Sequence, residues 1–420
     1  MTDERLGLGS PATAPGRRLI FLLALACGVG VANIYFPQAI VPLIADGLSV
    51  SPSRAATVVT AAQFGYAAGI FLLVPLGDRL MHRRLIVVLL AITGLGLLVA
   101  GTAPTLPVLV TASALTGAAT VVPQILIPMT AGLVPDDRRG AVTGTLLSGL
   151  IGGILLARTF GGGLGQWLGW RAPYLVAAAV MFLLALVLAF AVPTTTPPSR
   201  DRYPALLSAP LRLMLAEPDL RRSCLYQALI FAGFTAGWTS LALLLTGPEY
   251  DLGTSAIGLI ALVGAASMFA TPIAGRSTDR RGPDTVNLVC MLAVIGAAAL
   301  LTTGSLGSTL GLIGLTAGML ILDVAVQSGQ VANQARIFAL RPEARSRLNT
   351  AYMTCAFLGG STGSWLGVHA YTHFGWTAVC LLVGTLAGLA LTRHLIAYRT
   401  HIPHPEQTPD TTPLEPHVRS

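Results

Sequence analysis

Two side chains in this 420-residue sequence are placed to do chemistry: Asp323 and Arg158, the fully charged groups that fall well inside long apolar runs. On insertion scales, a charge at the centre of such a run costs about 2.5–3.5 kcal/mol, so each needs a reason to be there. An acid in low dielectric favours its neutral form, which suits a group that takes up and releases a proton. Asp323 lies on a polar stripe with Thr316, Gln327, Gln330 and Gln334, all on one side of a helix. Ser113, Thr116, Thr120 and Gln124 form a second narrow stripe, and Gln227, Phe231, Phe234 and Trp238 a third. Asn33, Tyr35, Gln38, Gln63 and Tyr66 add polar or aromatic groups elsewhere. Aromatic faces stack on varied shapes, and amides both donate and accept hydrogen bonds. Taken singly, a buried Ser or Thr reads as an interhelical hydrogen bond worth about 0.6–2 kcal/mol. Taken together, the stripes suit a path that binds a small molecule. At 1.5 Å per residue, Asp323 lies roughly 20 Å from the outer end of its run and Arg158 roughly 9 Å. A direct pair between them is therefore not expected. Asp323 should protonate, or else be a structural acid bonded to Gln327 or the Ser113 stripe. Arg158 should face an outer vestibule or carbonyls near its own glycines.

The elements that must position these groups are membrane helices. Hydrophobic residues make up 53% of the chain, charged ones only 10%, and mean hydropathy is +0.71. That excludes a soluble domain, which carries about 25% charge, and it excludes disorder. The net charge of +8 does not indicate nucleic-acid binding, since the basic residues are all Arg and, apart from Arg158, lie between the apolar runs, at their ends or in the tails. The five cysteines are isolated in or beside apolar runs, so neither a disulfide nor a metal site is expected, and no cofactor is implied. Gly359-Gly360-Ser361-Thr362-Gly363 fits the nucleophile-elbow pattern, but it lies in an apolar run where small residues let helices pack. No P-loop is present. The chain is therefore not expected to be an enzyme.

Apolar runs about 20 residues long predict twelve transmembrane helices near 19–43, 55–76, 85–103, 106–134, 141–164, 174–192, 224–245, 255–274, 285–303, 310–331, 349–370 and 377–395. With the N-terminus in the cytoplasm, 23 of the 26 arginines fall on the inner side and only Arg54 and Arg171 outside, as the positive-inside rule requires. Both termini are then cytoplasmic, and the protein sits in the cell's inner (plasma) membrane. The expected organisation is a tail over 1–18, a six-helix bundle over 19–192, and a proline-rich cytoplasmic linker over 193–222. A second six-helix bundle over 223–396 and a disordered tail over 397–420 follow. Within the linker, 206–216 suits a short surface helix.

The two bundles echo each other. Arg139 precedes Gly169-Trp170 with the same spacing by which Arg345 precedes Gly375-Trp376, and Gly153 and Gly359 are equivalent. Gly77-Asp78-Arg79 with Arg83-Arg84 is echoed by Gly275, Asp279, Arg280 and Gly282. Parallel six-span repeats are the plan of one transporter fold.

On these residues the sequence resembles the major facilitator superfamily, from about Leu19 to Leu395. Ala32-Asn33-Ile34-Tyr35, Leu322-Asp323, Asn333-Gln334-Ala335-Arg336 and Arg345-Ser346-Arg347-Leu348-Asn349 resemble its drug:proton antiporter branch, especially sugar and purine-nucleoside efflux permeases. Two departures stand out. Ser113 occupies the place of an arginine common in proton antiporters. In the fifth-span glycine signature, Arg158 replaces a proline. The resemblance implies that spans one, four, seven and ten line a central cavity. It implies a secondary transporter exporting a small drug-, nucleoside- or sugar-like molecule in exchange for protons, working as a monomer in the bilayer. Proton symport or facilitated uptake on the same fold is the alternative, and a transport-inactive receptor or scaffold is a third. Substrate contacts are expected from Asn33, Tyr35, Gln63, Gln124, Gln227, Phe231, Phe234, Trp238 and Gln327, with Asp323 as the proton site. Asp78, Arg79, Arg83, Arg139, Asp279, Arg280 and Arg345 are expected to form a cytoplasmic gate.

Overall fold

The computed structural model describes residues 16–193, 202–341 and 344–400, and the chain is helical throughout them. The expected tails over 1–18 and 397–420 lie almost wholly outside the described residues. The first half contains α1 (Arg17–Tyr35), α2 (Val41–Leu48), α3 (Pro52–Ala55), α4 (Thr57–Leu72), α5 (His82–Gly101), α6 (Leu106–Ala119), α7 (Val122–Gly132), α8 (Asp136–Leu168) and α9 (Arg171–Ala191). A linker helix α10 (Tyr203–Ala216) follows. The second half contains α11 (Pro218–Thr246), α12 (Thr254–Gly264), α13 (Ala270–Leu301), α14 (Thr309–Leu340), α15 (Arg345–Phe374) and α16 (Trp376–Thr400). Among the described residues, ten helices are long and apolar enough to cross a membrane. The α15 helix and the stretch Thr254–Phe269 complete the bundle without meeting that measure, so it does not reach the twelve expected from sequence.

Prolines decide where the apolar runs break. Pro37 opens a 3-10 turn over Phe36–Ile40 between α1 and α2, and Pro75 opens another over Val74–Asp78 after α4. Proline has no amide N–H to donate, so the α ladder tightens or shifts there. Likewise α6 gives way to α7 at Thr120–Val121, just before Pro123. By contrast α8, where Arg158 stands in place of proline, runs 33 residues without a break. Its end at Leu168 lies four residues beyond the expected 164. The loop expected between spans eight and nine is instead helix on both sides of Gly282, whose φ of 79° turns the chain sharply before Pro283.

The repeat is visible in the packing. Both α8 and α15 end at a glycine with positive φ, Gly169 at 82° and Gly375 at 75°, a conformation that costs glycine little. Each then lies against the first long helix of its half with no room for a side chain. A Cβ at Gly149 or Gly153 would strike the Ala24 or Gly28 backbone of α1, and one at Gly359 or Gly363 would strike Ala228 or Ala232 of α11. This is the close helix approach that small residues permit in membranes. It accounts for the G-x-S-x-G pattern, whose Ser361 hydroxyl donates to the Thr60 carbonyl at 3.0 Å.

The halves meet along α4 against α15 and α8 against α12, with α11 reaching across to the Phe36–Ile40 turn. The most apolar stretch of α11 is 89% buried, against 33% for that of α8, which makes α11 an axial helix. Chain order places Asp78, Arg139, Asp284 and Arg345 at one end of the bundle, the arginine-rich end. Arg171, Thr254 and Gly375 lie at the other, arginine-poor end.

Candidate functional site

A cleft opens between the halves, lined by Val31, Tyr35, Tyr66, Gln124, Leu150 and Ile154 from the first half. Gln227, Phe231, Gln330, Met353, Ala356 and Phe357 line it from the second. The break before Pro123 sets Gln124 on this wall, where its Nε2 donates to the Tyr66 hydroxyl at 3.2 Å. Across the cleft, the Tyr352 hydroxyl donates to Gln227 Oε1 at 2.8 Å, and Gln227 Nε2 reaches Gln330 at 3.4 Å. Phe231 stacks on Phe234 with centroids 5.5 Å apart, and Tyr66 meets Phe357 edge to face at 4.5 Å. Aromatic rings and neutral amides thus surround the cleft, with no charged side chain among its lining residues.

The two intramembrane charges lie beyond its aromatic wall, and they share one indole. Trp238 donates through Nε1 to Asp323 Oδ1 at 3.1 Å. The Arg158 guanidinium carbon sits 4.0 Å from the Trp238 ring centroid, 5.3 Å from Tyr35 and 5.4 Å from Phe234. Its Nε donates to Gln38 Oε1 at 2.9 Å, and Gln38 is available there because the Pro37 turn interrupts the helix. Arg158 and Asp323 are each 0% exposed. The two terminal amino groups of Arg158, Asp323 Oδ2 and Gln38 Nε2 have no hydrogen-bond partner within the described protein. A Cβ at Gly264 of α12 would collide with Asp323 Oδ2, so a glycine makes room for the carboxyl.

This corrects two expectations about Arg158. It faces neither a vestibule nor its own glycines; it crosses the interface to Trp238 of the other half. The two charges also lie closer in depth than expected. Because α8 runs on to Leu168, Arg158 lies about 15 Å from its outer end, while Asp323, with α14 starting at Thr309, lies about 21 Å from its own. They still make no direct ion pair, since the indole fills the gap. Nor does Asp323 bond to Gln327 or the span-four hydroxyls.

Of the expected substrate residues, Tyr35, Gln124, Gln227 and Phe231 line the cleft, and Phe234 and Trp238 stand behind them. Gln63 is buried beside Phe231 at Gly360. Gln327 is buried off the wall, and Asn33 points to the Gly30 carbonyl and Met181 of α9. Met353 and Phe357 of α15, four residues apart on one helical face, line the cleft but were not among the expected contacts, and nor was Tyr352, which bonds Gln227.

The residues expected to gate the arginine-rich end differ in their surroundings. Arg79, Asp279 and Arg280 are exposed. Arg139 donates to the Ala131 carbonyl and Arg345 to that of Phe338, each within its own half. Asp78 and Arg83 are half-buried. The ionic cluster at this end centres on Asp284, which binds Arg336 of α14 and lies 3.4 Å from Arg222 of α11.

Comparison with known proteins agrees with this architecture. The family model of the Major Facilitator Superfamily matches residues 20–335. An uncharacterized transporter of Escherichia coli strain K12, YgaY, is 39% identical over 370 residues, covering 88% of this chain and 93% of the relative. A chloramphenicol resistance protein of Streptomyces lividans is 32% identical over 290 residues, 67% of this chain and 72% of that one. The solved nucleoside transporter NupG superposes with a TM-score of 0.70 at 14% identity, covering 91% of this chain and all of the other (100%). The chain is a multi-pass inner-membrane protein and belongs to the major facilitator superfamily of transporters.

Proposed function

We propose that the protein exports a small, neutral, partly aromatic molecule in exchange for protons, by alternating access of the cleft. The observation that carries this reading is Asp323: a carboxyl wholly buried between helices, one oxygen on Trp238 and the other unpartnered, beside an uncharged cleft. Such a group suits binding a proton at one face and releasing it at the other. The aromatic and amide lining suits a flat ring system with hydrogen-bonding edges, and the absence of charge there disfavours an ion. Export is favoured by the chloramphenicol resistance relative. We take the arginine-rich end as cytoplasmic, with twelve spans in two bundles over 19–192 and 223–396 and the linker 193–222 inside.

One proton moving down about 100 mV and one pH unit supplies about 3.7 kcal/mol, enough for a gradient of roughly 400-fold in a neutral substrate. The test is a growth-inhibition panel in an efflux-deficient host, with and without an uncoupler, for the parent and Asp323→Asn. The variant keeps the shape and mimics the protonated acid, so it should lose protection yet retain substrate counterflow in vesicles. Uncoupler-sensitive export by Asp323→Asn would place the proton site elsewhere.

A further inference from the structure

We infer that Arg158 is the latch of the arginine-poor end, and that it reads the charge on Asp323 through the Trp238 indole between them. The inference rests on the transport reading above and adds a residue to it.

The arginine-poor end is where the halves are joined. Thr254 donates from its hydroxyl to the Gly162 carbonyl at 3.0 Å and from its amide to Gln166 at 2.7 Å. Thr159 donates to the Gly258 carbonyl at 2.8 Å. Arg158 lies one residue from Thr159 on the same helix, and its side chain is the cation that crosses this seam. Its aromatic partners come from both halves, Tyr35 from the first and Phe234 and Trp238 from the second.

A guanidinium over an indole is held by the negative face of the ring, more strongly when water is excluded. The indole N–H donates to Asp323, so an ionised carboxylate pushes electron density into the ring and sets a negative charge behind it. Among the described residues Arg158 is the charged group whose field reaches Asp323, from α8; Trp238 of α11 is its hydrogen-bond partner, and Tyr35 of α1 lies 5.3 Å from the guanidinium. With the carboxylate ionised, Arg158 has a counter-charge and the seam stays shut. With it neutralised, Arg158 is a buried cation holding only Gln38 and ring faces, its two amino groups unpaired. Hydrating that cation then favours parting the halves. The consequence for transport is an exchange rule. The empty, ionised carrier is kept closed at this end, and a proton, or a substrate group donating to Asp323, releases it.

The test reads seam opening without any transported substrate. In a background with Cys27, Cys224, Cys290, Cys355 and Cys380 replaced by serine, Thr254→Cys reports on the seam and Ser305→Cys, on an exposed turn, normalises reactivity. An impermeant maleimide is applied to right-side-out vesicles. Asp323→Asn and Arg158→Gln should each raise the normalised Thr254→Cys labelling rate about tenfold or more, and the double variant no further, because both act on one latch. The parent rate should rise as pH falls, and this rise should vanish in Asp323→Asn. Arg158→Lys, which keeps the charge but not the planar stack, should be intermediate, and it serves if Arg158→Gln does not reach the membrane. Labelling by Arg158→Gln or Arg158→Lys at the parent rate, or multiplying effects in the double variant, overturns the latch. Uncoupler-sensitive export by Asp323→Asn overturns the antiport reading alone, since seam labelling does not depend on it.

Discussion

The two ends of the interface between the halves are built on different principles. At the arginine-poor end, backbone meets backbone. A Cβ at Gly162 would strike the Thr254 carbonyl, one at Gly258 would press on the Thr159 backbone, and hydroxyls of Thr159, Thr254 and Ser361 donate across to carbonyls. At the arginine-rich end an ionic cluster lies within the second half. Arg336 and Arg222 gather around Asp284, and a 3.3 Å hydrogen bond from Asn349 to Gln124 crosses between the halves there. A seam of glycines and short hydroxyls closes tightly and leaves no charge in lipid. A set of arginines can be held by solvent and headgroups when the halves part. The structure therefore captures the protein sealed at one end and lightly joined at the other.

The strongest way to break this contrast is to put bulk into the sealed seam. Gly162→Val or Gly258→Val should reduce transport by about 100-fold or more, because the side chain fits only when the halves separate there. Membrane abundance should hold, and cysteine labelling near Thr254 should rise. The same substitution at Gly359, which packs within one half, should instead overpack the bundle by about 1–3 kcal/mol and lower abundance or melting temperature. If Gly258→Val and Gly359→Val behaved alike, the distinction between seam and bundle would collapse.

A smaller effect is expected from Gly264→Ala, whose methyl must displace the Asp323 carboxyl. Uncoupler-sensitive export should fall several-fold more than energy-independent counterflow. Arg336→Ala removes the closest partner of Asp284, which is partly exposed, so thermal stability should drop by about 1–2 kcal/mol in detergent. Export should then persist at reduced protein level. The smallest change belongs to Asn349→Ala. One interhelical hydrogen bond of about 0.6 kcal/mol sets a shift of roughly threefold in the opening equilibrium, read as cysteine labelling from the cytoplasmic side. A loss as large as that of Gly162→Val would mean that the arginine-rich end is no weaker than the other. Gating by Asp78 is a proposal for a conformation in which this end is closed. Asp78→Asn should slow closure of this end without changing labelling at Thr254→Cys.

The sequence by itself determined the fold class and its repeat. Apolar run length, the count of charges and the Arg139–Trp170 and Arg345–Trp376 spacing are local or one-dimensional signals, so they survive without coordinates. Span identity and the polar stripes were legible for the same reason, since helical periodicity assigns faces, and Tyr35, Gln124, Gln227 and Phe231 were found that way. Tertiary structure decided which faces meet. Asn33 carried the same polar signal as Gln124 but turns to Met181, because rotation of α1 is set by glycine contacts with α8. Asp284 carried no site signal of its own in the sequence, yet it is the centre of a cluster, because its partners lie 52 and 62 residues away along the chain. The meeting of Arg158 and Asp323 at Trp238 depended on four residues of helix beyond the expected end of α8, about 6 Å of depth. Composition reports how many charges a membrane must hold. Only packed helices fix the heights and rotations that decide which of those charges share a neighbour.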